Sequence, residues 1–483
     1  MSNGITNWAK NNKIYIFFFF FVLIKGLLWT WSIPPFFVSD ELPHFAYTQY
    51  LVEEKAIPKN SGALLPLTTT MSEELSKASK LLQERHLIWS FSHMKFSEQN
   101  EPIPEEFNSY SRQTEKGNYK NSAAIYSPLY YAIEAVPYIL GYHYDIFTRF
   151  YLMRVFSLIF LFIALISVYK IALLVSEKRL FAITAVAIVS LMPSINSSSF
   201  GGINNDAALI AFSHVLFYLL LKALKNVNSA IMTRIGIGAV LGLTLLAKPQ
   251  GVIFIPIVAA VFLYKGIKTK IKKQSVIALF FIFFIAALMA APFYVEPIKY
   301  FINNPSETIN QTQSILSFKN ITAATGLDLL RRFSLLSEFW LQAQLFTVFY
   351  PFYINSFILA LELAAAIGLI YIGKDYFKRV FQPNKNFYIY IALCALTFFA
   401  LDAFYAMLFY KGALLNNYYN FAAQGRYYFP VIGPLIILFL AGLCRFFNKL
   451  NIPQNFVFIS LFLFFLILHN YSLINIILQY NYL

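Results

Sequence analysis

The most regular feature of this sequence is a succession of long apolar runs, separated by short connectors that carry many of its basic residues. Runs of about 20 residues match the hydrocarbon core of a bilayer, and spanning segments must be helical so that every backbone polar group is satisfied. The pattern therefore predicts an all-α, polytopic transmembrane protein with about 11 to 13 spans. The predicted spans are 14–33, 125–142, 150–176, 180–200, 206–224, 232–247, 250–265, 274–293, 340–373 with a bend at Pro351, 386–410, 427–444 and 454–477.

Composition supports a membrane protein and argues against a nucleic-acid partner. The 483 residues are 58% hydrophobic and only 13% charged, whereas soluble domains carry about a quarter charged residues. The net charge of +15 comes from basic residues in connectors such as Lys265–Lys273, the distribution expected from the positive-inside rule. Cys394 and Cys444 lie in apolar segments and indicate neither a disulfide framework nor a metal site.

The connectors divide the chain into five regions with predicted sides of the membrane. Residues 34 to 124 carry twelve acidic and nine basic side chains, which places them outside, after an anchor whose N-terminus is inside. The regions are 1–33, an N-terminal transmembrane anchor; 34–124, a first external loop with an amphipathic helix; 125–293, a transmembrane helical core; 294–339, a second external loop; and 340–483, C-terminal transmembrane helices.

Two local questions stay open at this stage, and one surface helix is predicted. Residues 125–142 either re-enter or lie along the interface, or a weakly charged connector breaks the positive-inside rule. Residues 72–96 place apolar side chains at loosely helical spacing, which predicts a helix on the membrane surface. Lys25, inside the first apolar run, either snorkels to the interface or faces the protein interior.

A compact group of polar residues follows the first span directly. Asp40 and Glu41 are adjacent carboxylates at the membrane boundary, with His44 three residues further on. Such groups are costly to desolvate without a purpose, because burial and like charge both disfavour ionised carboxylates. The simpler interpretation is that Ser39 or Asp40 caps a short helix.

These residues and four later motifs resemble protein O-mannosyltransferases and related membrane glycosyltransferases of the GT-C superfamily. The Gln-Gly-Arg-Tyr motif is similar to one in a largely uncharacterised bacterial branch. Ser127 replaces a usual proline, and one additional residue precedes His44. The motifs are Asp40-Glu41, Tyr126 to Tyr131, Arg149 to Arg154, Asn204-Asn205-Asp206, and Gln424-Gly425-Arg426-Tyr427.

The resemblance implies an inverting transfer of a sugar from a polyprenyl-phosphate donor to a glycan, lipid or protein acceptor. A carboxylate must then remove the acceptor proton, and we assign this role to Asp40, with Glu41 orienting it or holding the acceptor. A guanidinium suits the leaving phosphate, which we assign to Arg426. The further predicted binding residues are Tyr427, Gln424, Lys248, Arg154, His44, Asp206 and Asn205.

Several of these residues also have simpler explanations. Asp206 can be the N-cap of the following helix, Lys248 can be a snorkelling lysine, and Arg154 can pair with Asp145. No cofactor is certain. Asp40, Glu41 and Asp206 are suitable ligands for a divalent metal ion if their loops converge, although their spacing does not require one.

Two other functions fit a polytopic helical protein. A transporter or lipid-linked sugar flippase would use intramembrane charges as a pathway, and an oligosaccharide polymerase or ligase would use a late external loop such as the one carrying Arg331-Arg332. The favoured hypothesis is a glycosyltransferase in a bacterial plasma membrane with its site outside. It requires Asp40, Asp206 and Arg426 to meet.

Overall fold

A computed structural model gives the structure of most of the chain, and it contains helices, turns and irregular segments. The residues described are 13–38, 40–58, 71–84, 109–113, 121–226, 231–303, 328, 332, 338–341, 350–378, 386–416 and 424–481. Apart from an isolated bridge at Ser72, extended pairing is absent from these ranges. The predicted all-α fold is confirmed.

Fourteen main helices follow one another in the described ranges, with shorter helical turns between some of them. They are α1 (Lys13–Ser32), α2 (Glu41–Glu53), α3 (Glu73–Glu84), α4 (Leu129–Leu140), α5 (Ile146–Ser176), α6 (Arg179–Leu191), α7 (Asp206–Lys225), α8 (Ile231–Ala247), α9 (Phe254–Lys268), α10 (Lys272–Asn303), α11 (Phe352–Lys378), α12 (Phe387–Asn416), α13 (Ile432–Lys449) and α14 (Gln454–Asn481).

Nine helices in the described ranges are long and apolar enough to cross a membrane, or ten if the bent segment beginning with α6 counts as one span. At 17 residues, α8 is shorter. It nevertheless joins the two ends of the bundle. Its first residues follow the end of α7, and its last residue, Ala247, accepts a hydrogen bond from Asn205 beside the start of α7. With α8 the number reaches eleven, the lower end of the expected range.

The bundle has two faces that the helix ends define. The site face carries Ile33, after the end of α1, and Asp206, at the start of α7. The basic face carries Lys225, at the end of α7, and Lys268, at the end of α9. Since α8 begins soon after the end of α7, and α10 soon after the end of α9, the described parts of the connectors between these helices lie on the basic face.

The short helix α4 answers the question about residues 125–142. Its 12 residues extend about 18 Å at 1.5 Å per residue, which is too short for a hydrocarbon core of about 30 Å. Arg154, about two turns beyond the start of α5, hydrogen-bonds the carbonyls of Thr30 and Ile33 at the end of α1. The chain therefore leaves α4 on the face at which it entered, and residues 125–142 do not cross.

A buried lysine stabilises the bent span that begins with α6. The helix direction changes by 56° at Pro193, and the segment Asn196–Phe200 adopts π-helical hydrogen bonding. Lys25 is 4% exposed and donates hydrogen bonds to the Ser190 carbonyl and to Asn196 Oδ1, the latter at 2.5 Å. Lys25 thus faces the interior, where its ammonium group satisfies acceptors that the bend leaves without helical partners.

The amphipathic helix predicted from residues 72–96 packs on the protein. Within α3, Leu75, Ala78 and Leu82 are buried in the main core. Glu74 is also buried and binds the Arg149 side chain. The apolar side of α3 therefore packs against protein and not against lipid. This differs from the predicted helix on the membrane surface. Residues 85–96 lie outside the described ranges.

Close backbone contact between glycines joins α11 to α13. A Cβ atom at Gly442 would overlap the backbone carbonyl of Ala365, and one at Gly368 would overlap that of Gly442. Both obstacles are helix backbone, so neither can move aside without separating the helices. Small residues allow this approach in membrane helix pairs.

Substitution of one of these glycines tests the helix contact. We expect Gly442→Ala to destabilise the protein by about 1 to 3 kcal/mol, as other overpacking substitutions do. Gly373→Ala is the matched control, because a Cβ atom there meets nothing within 4 Å and alanine favours the helix by up to about 1 kcal/mol. Thermal unfolding of the purified variants in one detergent measures the difference. Equal melting temperatures would contradict the proposed contact.

Candidate active site

Asp40 lies between α1 and α2 in a conformation that few residues adopt. Its φ of 63° is in the left-handed region, which asparagine and aspartate tolerate better than other non-glycine residues. The Asp40 side chain makes no capping hydrogen bond to α2, so the helix-cap interpretation is wrong for this residue. Its Oδ2 instead accepts a hydrogen bond from Arg426 Nη2 at 2.8 Å.

Arg426 comes from the 3-10 helix Gly425–Val431, directly before α13. The Arg426 side chain is 7% exposed, whereas that of Asp40 is 57% exposed. Arg426 Nε and Nη1 are buried and have no hydrogen-bond partner among the described residues. Buried donors are normally satisfied, so these N–H groups indicate a site for an anion or another acceptor.

A second ion pair lies beside the first. Lys248 Nζ donates a 2.6 Å hydrogen bond to Asp206 Oδ1, while the buried Asp206 Oδ2 has no partner in the described part of the chain. Asp206 is not the N-cap of α7, because the Asn204 side chain instead accepts the hydrogen bond from the Asp206 backbone N–H. Lys248 is 5% exposed, so it does not snorkel.

Aromatic side chains surround these ion pairs. Lys248 Nζ lies 5.5 Å from the centre of the Tyr126 ring, and that ring stacks on His44 at 5.9 Å. Tyr427 lies under the Arg426 guanidinium at 5.6 Å and stacks on Tyr405 at 5.1 Å.

The two ion pairs form one electrostatic cluster. Arg426 interacts with both Asp40 and Asp206, and it also repels Lys248. The partial desolvation of the Asp40 carboxyl alone would raise its pKa, but Arg426 and the neighbouring cations outweigh this effect and hold the pKa below its ordinary value. Burial lowers the pKa of His44 to about 4. The structure therefore brings Asp40, Asp206 and Arg426 together, as the hypothesis required, beside a neutral His44 at neutral pH.

Glu41 and Arg154 form a buried ion pair behind Asp40. Arg154 Nε and Nη2 each donate a 2.7 Å hydrogen bond to the Glu41 carboxylate, which also accepts one from the Ile203 backbone N–H at 2.9 Å. The predicted pairing of Arg154 with Asp145 is wrong, because Asp145 caps α5. Glu41 is 1% exposed and both its oxygens are occupied, so this pair can position Asp40 but does not present a group to substrate.

Gln424 and Asn205 occupy supporting positions. The Gln424 carbonyl accepts a hydrogen bond from the Tyr427 backbone N–H at 3.1 Å. The Asn205 amide donates to the Ala247 carbonyl at 3.2 Å, and its Oδ1 is buried without a partner among the described residues. Both residues shape the turns that present Arg426 and Lys248.

Sequence reasoning missed Tyr405 and Glu338. Tyr405 stacks on Tyr427 from the middle of α12, where the sequence shows only one of many aromatic residues in an apolar run. Glu338 Oε2 accepts a 3.2 Å hydrogen bond from the Gly425 backbone N–H, and a Cβ atom at Gly425 would overlap the Glu338 and Phe339 backbone. No local motif marks Glu338, although the glycine before Arg426 indicates close packing at that point.

The carboxylates do not form a suitable metal site. Asp40, Glu41 and Asp206 are each paired with a different cationic side chain. In the ranges that the structure describes, no group of three or more His, Cys, Asp or Glu side chains is arranged to hold a metal ion. The arrangement does not fit the divalent ion considered from the sequence.

A large apolar cavity adjoins the site. Its volume is about 1180 Å³, and its walls come mainly from α9, α11, α12 and α13. Tyr428 lines the cavity and donates a 2.7 Å hydrogen bond to Asp402. Arg332 binds Asp402 and also Asp328, at 2.7 and 2.8 Å respectively. Two carboxylates therefore neutralise the charge of Arg332. Arg331, the other arginine of this external loop, lies outside the described ranges.

Removing one member of the buried pair tests its structural role. We expect Arg154→Met to destabilise the protein by about 3 to 5 kcal/mol, because it leaves the Glu41 carboxylate buried without a counter-charge. Arg112→Met is the control, because Arg112 is 19% exposed and hydrogen-bonds the Tyr142 carbonyl, while Glu74 keeps its ion pair with Arg149 in this variant. We expect it to lose about 1 kcal/mol. Thermal unfolding in detergent compares the two variants. A similar small loss in both would contradict the assignment.

Solved structures similar to this chain include two membrane proteins. ArnT from Cupriavidus metallidurans, bound to undecaprenyl phosphate, is 11% identical with a TM-score of 0.47, covering 97% of this chain and 77% of that one. The archaeal oligosaccharyltransferase AglB from Archaeoglobus fulgidus, in complex with an inhibitory peptide and a dolichol-phosphate, is 12% identical with a TM-score of 0.49. That match covers 98% of this chain and 56% of AglB, so the chain spans little more than half of it.

The sequence itself is similar to a protein family over most of its length. The comparison with curated proteins gave no significant match. The model of a family described as "Predicted membrane protein (DUF2142)" matches residues 21–436. Together with its apolar helices, this match makes the chain a multi-pass integral membrane protein that belongs to the DUF2142 family.

Proposed function

We propose that this protein is an inverting glycosyltransferase that moves a sugar from a polyprenyl-phosphate donor to an acceptor hydroxyl at the site face. The observation that carries the proposal is the contact between Asp40 and Arg426. It places an accessible carboxylate, suited to act as a base, beside a buried guanidinium whose remaining N–H groups have no partner among the described residues.

Asp40 is the proposed general base. In an inverting transfer, the acceptor oxygen attacks the anomeric carbon from the face opposite the leaving group, and a carboxylate removes its proton. The low pKa of Asp40 keeps it ionised at neutral pH. The acceptor proton passes to Asp40 as the new glycosidic bond forms, and the bond from the anomeric carbon to the phosphate oxygen breaks.

Arg426 is the proposed partner of the leaving phosphate, which departs with the bonding electron pair. Its N–H groups on Nε and Nη1 can donate to phosphate oxygens, and hydrogen bonds between ionised groups are stronger than neutral ones. As the phosphate binds, it competes with Asp40 for the guanidinium charge. Asp40 then becomes a stronger base in the donor complex than in the free protein, which couples proton removal to donor binding.

The other residues of the cluster have roles that follow from their contacts. Lys248 holds Asp206 so that the free Oδ2 can accept a hydrogen bond from a sugar hydroxyl. Tyr427 is partly exposed and stacks on the buried Tyr405, so its ring can pack against the apolar face of a sugar. Glu41 and Arg154 act indirectly, because they fix the chain on both sides of Asp40.

The apolar cavity supports a lipid-linked donor. Tyr428, two residues after Arg426, lines one end, so a phosphate bound at Arg426 would lie close to an apolar space of about 1180 Å³. Ligand sites of this kind combine apolar walls with a few placed polar groups. We place the polyprenyl tail there, in contact with the walls from α11 and α12.

The proposed location is a bacterial plasma membrane with the site face outside. The support is the concentration of lysines and arginines on the opposite face, which the positive-inside rule assigns to the cytoplasm. The acceptor would then be a glycan, lipid or protein of the cell envelope.

Substitution of the proposed base tests the activity directly. With purified protein and labelled polyprenyl-phosphate sugars, we expect Asp40→Asn to lower kcat by about 10² to 10⁴, the usual contribution of a general base. Glu54→Gln, at the end of α2, is the matched control and should keep wild-type activity. Undiminished transfer by Asp40→Asn would exclude Asp40 as base. Movement of the labelled lipid across the bilayer without transfer would favour the flippase function.

The pH dependence of kcat/KM tests the coupling of Asp40 to Arg426. In the wild type, activity should persist until the pH falls below about 3.9, the ordinary pKa of an aspartate, because the base is already ionised above that value. In Arg426→Gln, burial acts without its main opposing charge, so the acid limb should move to higher pH. The donor KM should also rise at least about tenfold. An unchanged acid limb would contradict the coupling.

A further inference from the structure

The basic face carries an unusual concentration of positive charge in one part of the bundle. Residues 207 to 295 contain no aspartate or glutamate, yet eight of their lysine and arginine residues lie at the ends of helices on this face. They are Lys222, Lys225, Arg234, Lys265, Lys268, Lys270, Lys272 and Lys273. The segment therefore supplies no counter-charge of its own.

Two of these cations are drawn into the protein. Lys265 is 5% exposed and donates a 2.9 Å hydrogen bond to the Ala223 carbonyl near the end of α7. Arg234, in the first turn of α8, lies close enough to Lys265 to repel it electrostatically. The buried Arg234 Nε has no hydrogen-bond partner among the described residues. Adjacent like charges at reduced exposure are unfavourable, and an anion would relieve their repulsion.

Carboxylates from neighbouring helices have other assignments or positions. Asp375, near the end of α11, is paired with Arg445 at 2.6 Å. Glu177 follows α5 and interacts electrostatically with Tyr390 of α12. Among the described residues, Asp375 and Glu177 are the acidic side chains on the basic face, and each interacts with a residue outside α7, α8 and α9.

Exposed apolar side chains lie beside these cations. Ile231, three residues before Arg234 on the same face of α8, is 55% exposed, and Tyr264, whose ring centre lies 5.7 Å from Lys268 Nζ, is 40% exposed. A ligand that fits this arrangement has an anionic group for the cations and a hydrocarbon chain for the adjacent surface. Basic pockets between membrane helices on the cytoplasmic side bind anionic lipid headgroups in this way.

We propose that the cations at the junction of α7, α8 and α9 bind the headgroup of an anionic phospholipid from the leaflet at the basic face. Arg234 and Lys265 form the inner contacts, and Lys222, Lys225 and Lys268 surround them. The lipid's acyl chain lies along Ile231 and Tyr264. This site is at the opposite ends of α7 and α9 from the proposed active site, and the inference does not depend on the proposed glycosyltransferase activity.

Native mass spectrometry of the purified full-length protein tests this site. Phosphatidylglycerol, phosphatidylcholine and inorganic phosphate are added separately at equal concentration, and bound species are counted. We expect phosphatidylglycerol to bind at least tenfold more tightly than phosphatidylcholine. Equal binding of both lipids would overturn the proposal, as would displacement of phosphatidylglycerol by equimolar inorganic phosphate, which would indicate a site for a free anion.

Paired variants separate a defined site from a diffuse positive field. The double variant Arg234→Gln, Lys265→Gln should lose about 25-fold in phosphatidylglycerol affinity, from about fivefold for each charge near the membrane. The control Lys272→Gln, Lys273→Gln removes the same charge from exposed positions on the same face and should change the affinity less than twofold. Equal losses in both double variants would overturn the proposal. If the first variant does not fold, Arg234→Gln alone should lose about fivefold, and wild-type affinity in it would overturn the proposal.

Discussion

The contact between Asp40 and Arg426 is the interaction on which the account of this protein depends. It joins residues 386 positions apart in the sequence, one directly after the first membrane helix and the other directly before α13. Asp40 remains accessible while Arg426 is buried, so the pair combines a group that can take a proton with a charge shielded from water. An electrostatic interaction of this kind is stronger in low-dielectric surroundings than at an open surface.

The rest of the fold can be understood as support for that contact. Burying a charge is costly unless it is paired and hydrogen-bonded, and the buried pair of Glu41 and Arg154 meets that condition. Arg154 connects Glu41 to carbonyls at the end of α1. Lys25 binds the bend after α6, and the segment following that bend presents Ile203 to Glu41. These links fix the backbone around Asp40, whose left-handed conformation directs its carboxylate to Arg426.

The sequence allowed the membrane helices and the sides of their connectors to be predicted, because both depend on local properties. Apolar length determines a span, and connector charge determines its side. A crossing by residues 125–142 conflicted with the charges of the neighbouring connectors, so a non-crossing helix could be suspected from the sequence. The 12-residue length of α4 was needed to decide. Lys25 illustrates the limit, because an isolated lysine in an apolar run has the same local pattern whether it snorkels or binds a distant bend.

The partners of the site residues were harder to predict than the residues themselves. Motif resemblance indicated Asp40, Asp206 and Arg426, and the structure brings them together, whereas their chemical roles remain proposals. The simpler alternatives that local reasoning offered were a pairing of Arg154 with nearby Asp145 and a helix-cap role for Asp206. Both interpretations were wrong, because the actual partners, Glu41 and Lys248, come from distant segments that only the packing of helices brings close.

The position of a bound carrier lipid tests the central claim most directly. A cryo-electron microscopy structure of the purified protein with polyprenyl phosphate would locate the phosphate and the tail independently of any activity assay. The account predicts phosphate density within hydrogen-bond distance of Arg426 Nε or Nη1, with the tail entering the cavity beside Tyr428. Phosphate bound away from Arg426, with the contact between Asp40 and Arg426 unchanged, would contradict it.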